Sequence, residues 1–201
     1  MGSSPLRTTL LRWLTRAERR WIPNETFGDL VVQYACSAVT RSKLSQHTKL
    51  AVTLLGYKAP AWYRRVQAEV ASATFIELGP GVGLARFTPA TRDCVINATR
   101  LLNNTPEWAF LEIAFVLVHE ATHAWLERHG VYGSSPAKRL RIERICNRAE
   151  ACLAARVPEL PFLADIVARR RGAIPVDYTA PAVARRRRAY YWALVRGMVG
   201  G

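Results

Sequence analysis

Residues 112–126 read EIAFVLVHEATHAWL, and the pattern His-Glu-x-x-His inside this stretch decides how the rest of the chain is interpreted. No proline or glycine occurs from residue 107 to residue 128, so the apolar run and the motif are predicted to form one buried helix. Residues i and i+4 lie on one face of a helix, which places His119 and His123 side by side. Two imidazoles in this arrangement can bind one metal ion, and Zn²⁺ is the ion that the pattern favours.

Glu120 follows His119 directly and lies about 100° around the helix from it. A carboxylate in that position is beside the metal, where it can take a proton from an activated water molecule. We therefore interpret His119 and His123 as metal ligands and Glu120 as a catalytic general base. The alternative interpretation is a core helix that carries two hydrogen-bonded histidines and no metal.

A hydrolytic zinc site needs a third protein ligand and one open position. His129 follows His123 by six residues, which is the spacing of the extended motif of metzincins. Leu126, however, stands where that motif has a glycine, and a continuing helix turns His129 about 240° away from His123. The sequence therefore disfavours His129 as the third ligand.

Glu143 is the favoured third ligand, because it lies on the next predicted helix, which can return against the first. Asn147 is one turn further on and shares the same face, so we expect it to hydrogen-bond a ligand histidine. Glu150 is the second choice of ligand on this helix. Alternatively, Glu143 belongs to a solvated, charged helix face. The candidates for stabilising an oxyanion are Tyr132, His129, Tyr178, Tyr190 and Tyr191.

The order His119-Glu120-x-x-His123 and then Glu143-x-x-Cys146-Asn147 resembles the gluzincin pattern of zinc metallopeptidases. Its second half is similar to that of ImmA/IrrE-type peptidases, with Cys146 standing for a small alanine. The resemblance covers about residues 93–158 and implies a protein or peptide substrate. It also implies a small sheet whose edge strand lies over the metal helix. That strand would be residues 93–101, to which a substrate peptide could pair.

The fold class predicted from these patterns is α+β. We expect a mainly helical, zincin-like domain with a small three-stranded sheet packed on the metal-binding helix. The glycine-rich residues 79–83 are interpreted as a hairpin turn between the first two strands. The predicted helices cover residues 29–39, 45–55, 61–71, 106–128 and 137–156. The predicted strands cover residues 73–78, 84–88 and 93–101.

The two ends of the chain are rich in arginine. Residues 1–23 are predicted to hold a basic amphipathic helix, and residues 24–201 a single domain whose C-terminal helices include the run Arg185–Arg188. The formal net charge of +14 favours an acidic partner, nucleic acid or an anionic membrane surface. A catalytically silent zinc protein that binds such a partner is the alternative function.

No run of about 18 apolar residues occurs in the chain, so no transmembrane span is predicted. Its four cysteines form no C-x-x-C pair and are interpreted as reduced. Together these features favour a cytoplasmic protein, with residues 1–23 able to lie on a membrane surface.

Overall fold

The computed structural model describes residues 22–78, 83–89, 91–104, 108–131, 133 and 135–158. These residues form an α+β fold with one mixed sheet, which confirms the predicted fold class. The strands are β1 (Asn24–Phe27), β2 (Leu30–Ala35), β3 (Ser72–Ile76), β4 (Ala85–Thr88) and β5 (Asp93–Asn97). The helices are α1 (Ala38–Lys58), α2 (Pro60–Glu69), α3 (Ala98–Asn104), α4 (Ala109–Arg128) and α5 (Pro136–Ala154).

The sheet has the strand order β1-β2-β3-β5-β4. The three inner strands run parallel to one another, and β1 and β4 pair antiparallel at the two edges. Parallel strands need a crossover, and α1 and α2 supply it between β2 and β3. The predicted number of three strands was therefore wrong, because β1 and β2 were missed.

The prediction of a helix over residues 29–39 was also wrong, because Leu30–Ala35 is strand β2. Four of its six residues are buried, since this inner strand is covered on both faces. Such a strand reads as a continuous short apolar run, and periodicity alone cannot distinguish that run from a buried helix. Strand β2 is followed by helix α1. The Ser37 hydroxyl caps this helix by accepting a hydrogen bond from the Thr40 backbone N–H.

The predicted edge strand of residues 93–101 lies inside the sheet. Asp93–Asn97 pairs with β3 on one side and β4 on the other, and the chain turns helical at Ala98. The hairpin predicted between the first two strands was wrong, because β5 separates β3 from β4 in the sheet. The antiparallel hairpin joins β4 and β5 through the turn that contains Arg92, whose φ is +56°. The edge strand beside the metal-motif helix is therefore β4.

Helix α4 lies at the centre of the described fold and packs against α1, α2, α5 and β4. Its apolar side chains join those of the inner strands in one core, with Phe75, Phe115 and Leu117 among the fully buried side chains. By length and composition α4 could cross a membrane, yet 72% of its most apolar window is buried in the protein, as in a core helix. The helices predicted for residues 1–23 and beyond residue 158 lie outside the described residues.

Candidate metal centre

The turn between α4 and α5 brings the two motif helices together. Gly130 has φ +77°, its N–H donates to the Glu127 carbonyl, and the Val131 N–H donates to the Leu126 carbonyl. These two bonds form a Schellman motif, which ends α4 at the predicted residue 128. Ser135 then caps α5 by accepting a hydrogen bond from the Lys138 backbone. The short connection lets α5 return along α4, so that residues of both helices meet.

Three predicted ligand side chains meet at this helix pair. The Nε2 atoms of His119 and His123 are 3.1 Å apart. One carboxylate oxygen of Glu143 lies 3.4 Å from His119 Nε2, and the other lies 3.5 Å from His123 Nε2. A tetrahedral Zn²⁺ with bonds of 2.0–2.1 Å separates its ligand atoms by about 3.3–3.4 Å. The spacing of these three groups therefore fits a zinc ion.

Glu150 lies behind His119 and touches its second ring nitrogen. The Nδ1 of His119 donates to Glu150 Oε1 at 2.7 Å, and Glu150 is only 4% exposed. With the proton held on Nδ1, the Nε2 lone pair points towards the metal position. The expectation that Asn147 makes this hydrogen bond was wrong. Local sequence could not show this, because the rotation of α5 against α4 decides which residue reaches the ring.

The electrostatics of the site favour a positive charge. Burial alone would lower the pKa of His119, but its hydrogen bonds with Glu143 and Glu150 outweigh burial and raise that pKa to about 10. Burial would raise the pKa of Glu143, but its hydrogen bonds with His119 and His123 hold that pKa well below its usual range. The carboxylates therefore stabilise a cation here, whether a proton on His119 or a metal ion.

Glu120 lies on α4 and is 7% exposed. It directly follows His119 on this helix, and its charge contributes to raising the pKa of His119 and of the Cys146 thiol. Among the residues that the structure describes, none donates a hydrogen bond to this carboxylate. A buried carboxylate in this position is suited to accept a proton from a water molecule.

Cys146 is a site residue that sequence reasoning missed as a candidate ligand. Its Sγ and one ring nitrogen each of His119 and His123 lie within 4.8 Å of one another, and the side chain is fully buried. The pKa of the Cys146 thiol is raised far above its usual value. Burial is the largest cause, and the charge of the Glu143 carboxylate is the next largest. The signal in the sequence was the i, i+3 spacing from Glu143, which places both residues on one helix face.

His129 stands apart from this group at the end of α4. It is exposed, its Nδ1 donates to the Trp125 carbonyl at 2.7 Å, and its ring centre lies 4.3 Å from that of Trp125. The Arg65 guanidinium covers the same indole at 4.9 Å. His129 therefore packs on its own helix end. The oxyanion candidates Tyr132, Tyr178, Tyr190 and Tyr191 lie outside the described residues.

The fold and the site define an α+β protein in which two neighbouring helices carry two histidines, a cysteine beside them and two glutamates in contact with them. Comparison of the chain with models of known protein families, with curated proteins and with solved structures finds no match. The function is therefore argued from the geometry of the site.

Proposed function

We propose that the protein is a zinc-dependent metallopeptidase. The observation that carries the proposal is the close approach of His119, His123 and Glu143. The two Nε2 atoms lie 3.1 Å apart, and the two carboxylate oxygens of Glu143 lie 3.4 and 3.5 Å from them, one oxygen to each histidine. These residues would hold Zn²⁺ with one position left open. When bound, the zinc would lower the pKa of a water molecule to about 7 and polarise the carbonyl of the substrate.

Glu120 and Glu150 have different proposed roles because they occupy different positions in the site. Glu120 takes the proton of the attacking water and passes it to the leaving amine, which is the role of a general acid and base. Glu150 accepts the Nδ1 proton of His119 and keeps the ring in the tautomer that binds metal. The acidic surroundings of His119 also favour the doubly charged cation over an empty site.

The edge strand β4 is the proposed place for an extended peptide substrate. It pairs with β5 on one side, and no other described strand pairs with it. It also packs beside α4, the helix that carries His119 and His123. A peptide that adds to this edge by backbone hydrogen bonds would run past the metal position.

The replacement Glu120→Gln tests the proposal directly. It keeps the size of the side chain but removes the base, so we expect hydrolysis of an unfolded protein substrate to fall by about 10²–10⁴-fold while the zinc content stays unchanged. Glu77→Gln, an exposed carboxylate outside the site, is the matched control and should keep full activity. Wild-type activity in Glu120→Gln with zinc bound would refute the proposal.

The alternative function is a catalytically silent zinc protein that binds nucleic acid or an anionic surface. The net charge of +14 favours it, although the Arg-rich segments that would make the contact lie outside the described residues. Nucleic-acid binding that weakens steeply with added salt, together with no hydrolysis by zinc-loaded wild type, would favour this function.

A further inference from the structure

Cys146 is part of the ligand cluster but has no role in the proposed hydrolysis. It is fully buried on α5, three residues after Glu143, and so lies on the helix face that meets α4. Its sulfur and one ring nitrogen each of His119 and His123 lie within 4.8 Å of one another. Cys146 and Glu143 are therefore both neighbours of the same two histidines.

We propose that Cys146 is a fourth protein ligand of the zinc, so that the site alternates between a closed form with the thiolate bound and an open form with water. This inference rests on the proposed function, because it concerns regulation of the same site. Sites closed by four protein ligands are structural, whereas catalytic sites keep one position for water. The closed form is thus inactive, and release of Cys146 would activate the protein.

The distances place Cys146 within reach of a small movement. Bonds of about 2.3 Å to sulfur and 2.0–2.1 Å to nitrogen put tetrahedral ligand atoms about 3.6 Å apart. No two ligand atoms of the group are more than 4.8 Å apart, which exceeds the tetrahedral spacing by about 1.2 Å. A rotation about the Cα–Cβ bond of Cys146 or a slight shift of α5 supplies a movement of this size.

The ordinary alternative is that Cys146 is a small core residue. It packs with Leu126 and Ile142, which form an apolar cluster with it. A purely apolar role, however, does not account for the ring nitrogens of His119 and His123 that lie beside its sulfur.

The exchange between the two forms releases one proton in one direction and takes up one proton in the other. As the S–Zn bond forms, the Cys146 thiol loses its proton to solvent, and the water molecule in the fourth position leaves. In the reverse direction the thiolate leaves the metal and takes up a proton, and water returns. Metal binding by thiol ligands releases protons in the same way.

Cobalt binding tests this inference without measuring activity. Metal-free protein is titrated with Co²⁺ under reducing conditions without oxygen, and the near-ultraviolet absorption is recorded for a band of sulfur-to-cobalt charge transfer. We expect the band in wild type, its loss in Cys146→Ala, and its retention in Cys152→Ser. Cys152 is the matched control, because it lies on the same helix but is exposed.

Affinity for the metal is the second readout. Cys146→Ala should still bind Co²⁺ through the other three ligands, but more weakly by at least the ~10-fold that loss of an outer partner costs. Cobalt binding to wild type without the sulfur band would overturn the inference and leave the histidine–glutamate site intact. If His119→Ala and His123→Ala bind cobalt as wild type does, the proposed function itself fails.

Discussion

At the scale of single residues, three chemically similar carboxylates occupy three different positions relative to His119. Glu143 faces Nε2 at 3.4 Å, Glu150 faces Nδ1 at 2.7 Å, and Glu120 directly follows His119 on the same helix. An imidazole binds metal through one nitrogen and needs a hydrogen-bond partner for the other. The two ring nitrogens of His119 therefore explain why Glu143 is proposed as a metal ligand and Glu150 as the hydrogen-bond acceptor that orients the ring.

The third ligand can be assigned by metal content. Glu143→Ala should lose most of the bound zinc, because two histidines alone make a poor site, whereas His129→Ala should retain it. The measurement is the zinc-to-protein ratio after purification and dialysis, with wild type as the reference. Zinc lost from His129→Ala and kept by Glu143→Ala would assign the third ligand to His129.

The partner of His119 can be assigned by metal affinity. Glu150→Ala should weaken zinc binding by about 10–100-fold, because it removes the acceptor that orients the ring. Glu150→Gln keeps a carbonyl oxygen in that place and should restore part of the affinity. Asn147→Ala is the matched comparison on the same helix face, measured by competition with a chelator. A larger loss in Asn147→Ala than in Glu150→Ala would return the supporting role to Asn147.

At the scale of elements, the end of α4 decides whether α5 can reach the site. Gly130 adopts φ +77°, a region in which residues with a Cβ atom are strained. If α4 continued, the loop could not turn back, and Glu143 would not approach His119. The helix end is thus as important to the site as the motif itself.

Two glycine replacements test this element in opposite directions. Gly130→Ala should cost about 1–2 kcal/mol of the free energy of unfolding, because an L-residue is strained in the left-handed region. Gly56→Ala, inside α1 at a position with open space for the new Cβ, should stabilise by about 0.5–1 kcal/mol. Urea denaturation of both variants measures the two effects. Equal effects of the same sign would show that the backbone at Gly130 is unstrained.

At the scale of the whole molecule, the charges of the site make stability depend on pH when no metal is bound. The pKa of His119 is raised from 6.5 to about 10, so its contribution is fully present below pH 6.5 and is lost as the pH rises to about 10. The pKa of Glu143 is lowered from 4.5, so its contribution is present above pH 4.5 and is lost as the pH falls below it.

The metal-free protein should therefore be most stable between about pH 4.5 and 6.5, as far as this site is concerned. Thermal unfolding of chelator-treated protein from pH 6 to 10 should show a falling Tm. Glu143→Gln removes one partner of His119 and should flatten that slope. An identical slope in wild type and Glu143→Gln would contradict the proposed charge coupling.

Much of the local structure could be predicted from the sequence. The α+β class, the helix that carries His119, Glu120 and His123, and its end at Gly130 all follow from short-range spacing. A helix places i and i+4 on one face whatever surrounds it, and a glycine that stops a helix acts through its own φ. These features were predictable because every interaction that defines them spans only a few residues.

The strand order and the outer part of the site were decided by tertiary structure. The strand Leu30–Ala35 was taken for a helix, and Asp93–Asn97 was placed at an edge that β4 occupies. Strand pairing depends on hydrogen bonds between distant residues, which no local pattern records. In the same way, the rotation of α5 against α4 puts Glu150 on His119 and brings Cys146 into the cluster. The sequence by itself determined the helix that bears the motif, and packing alone decided which residues surround it.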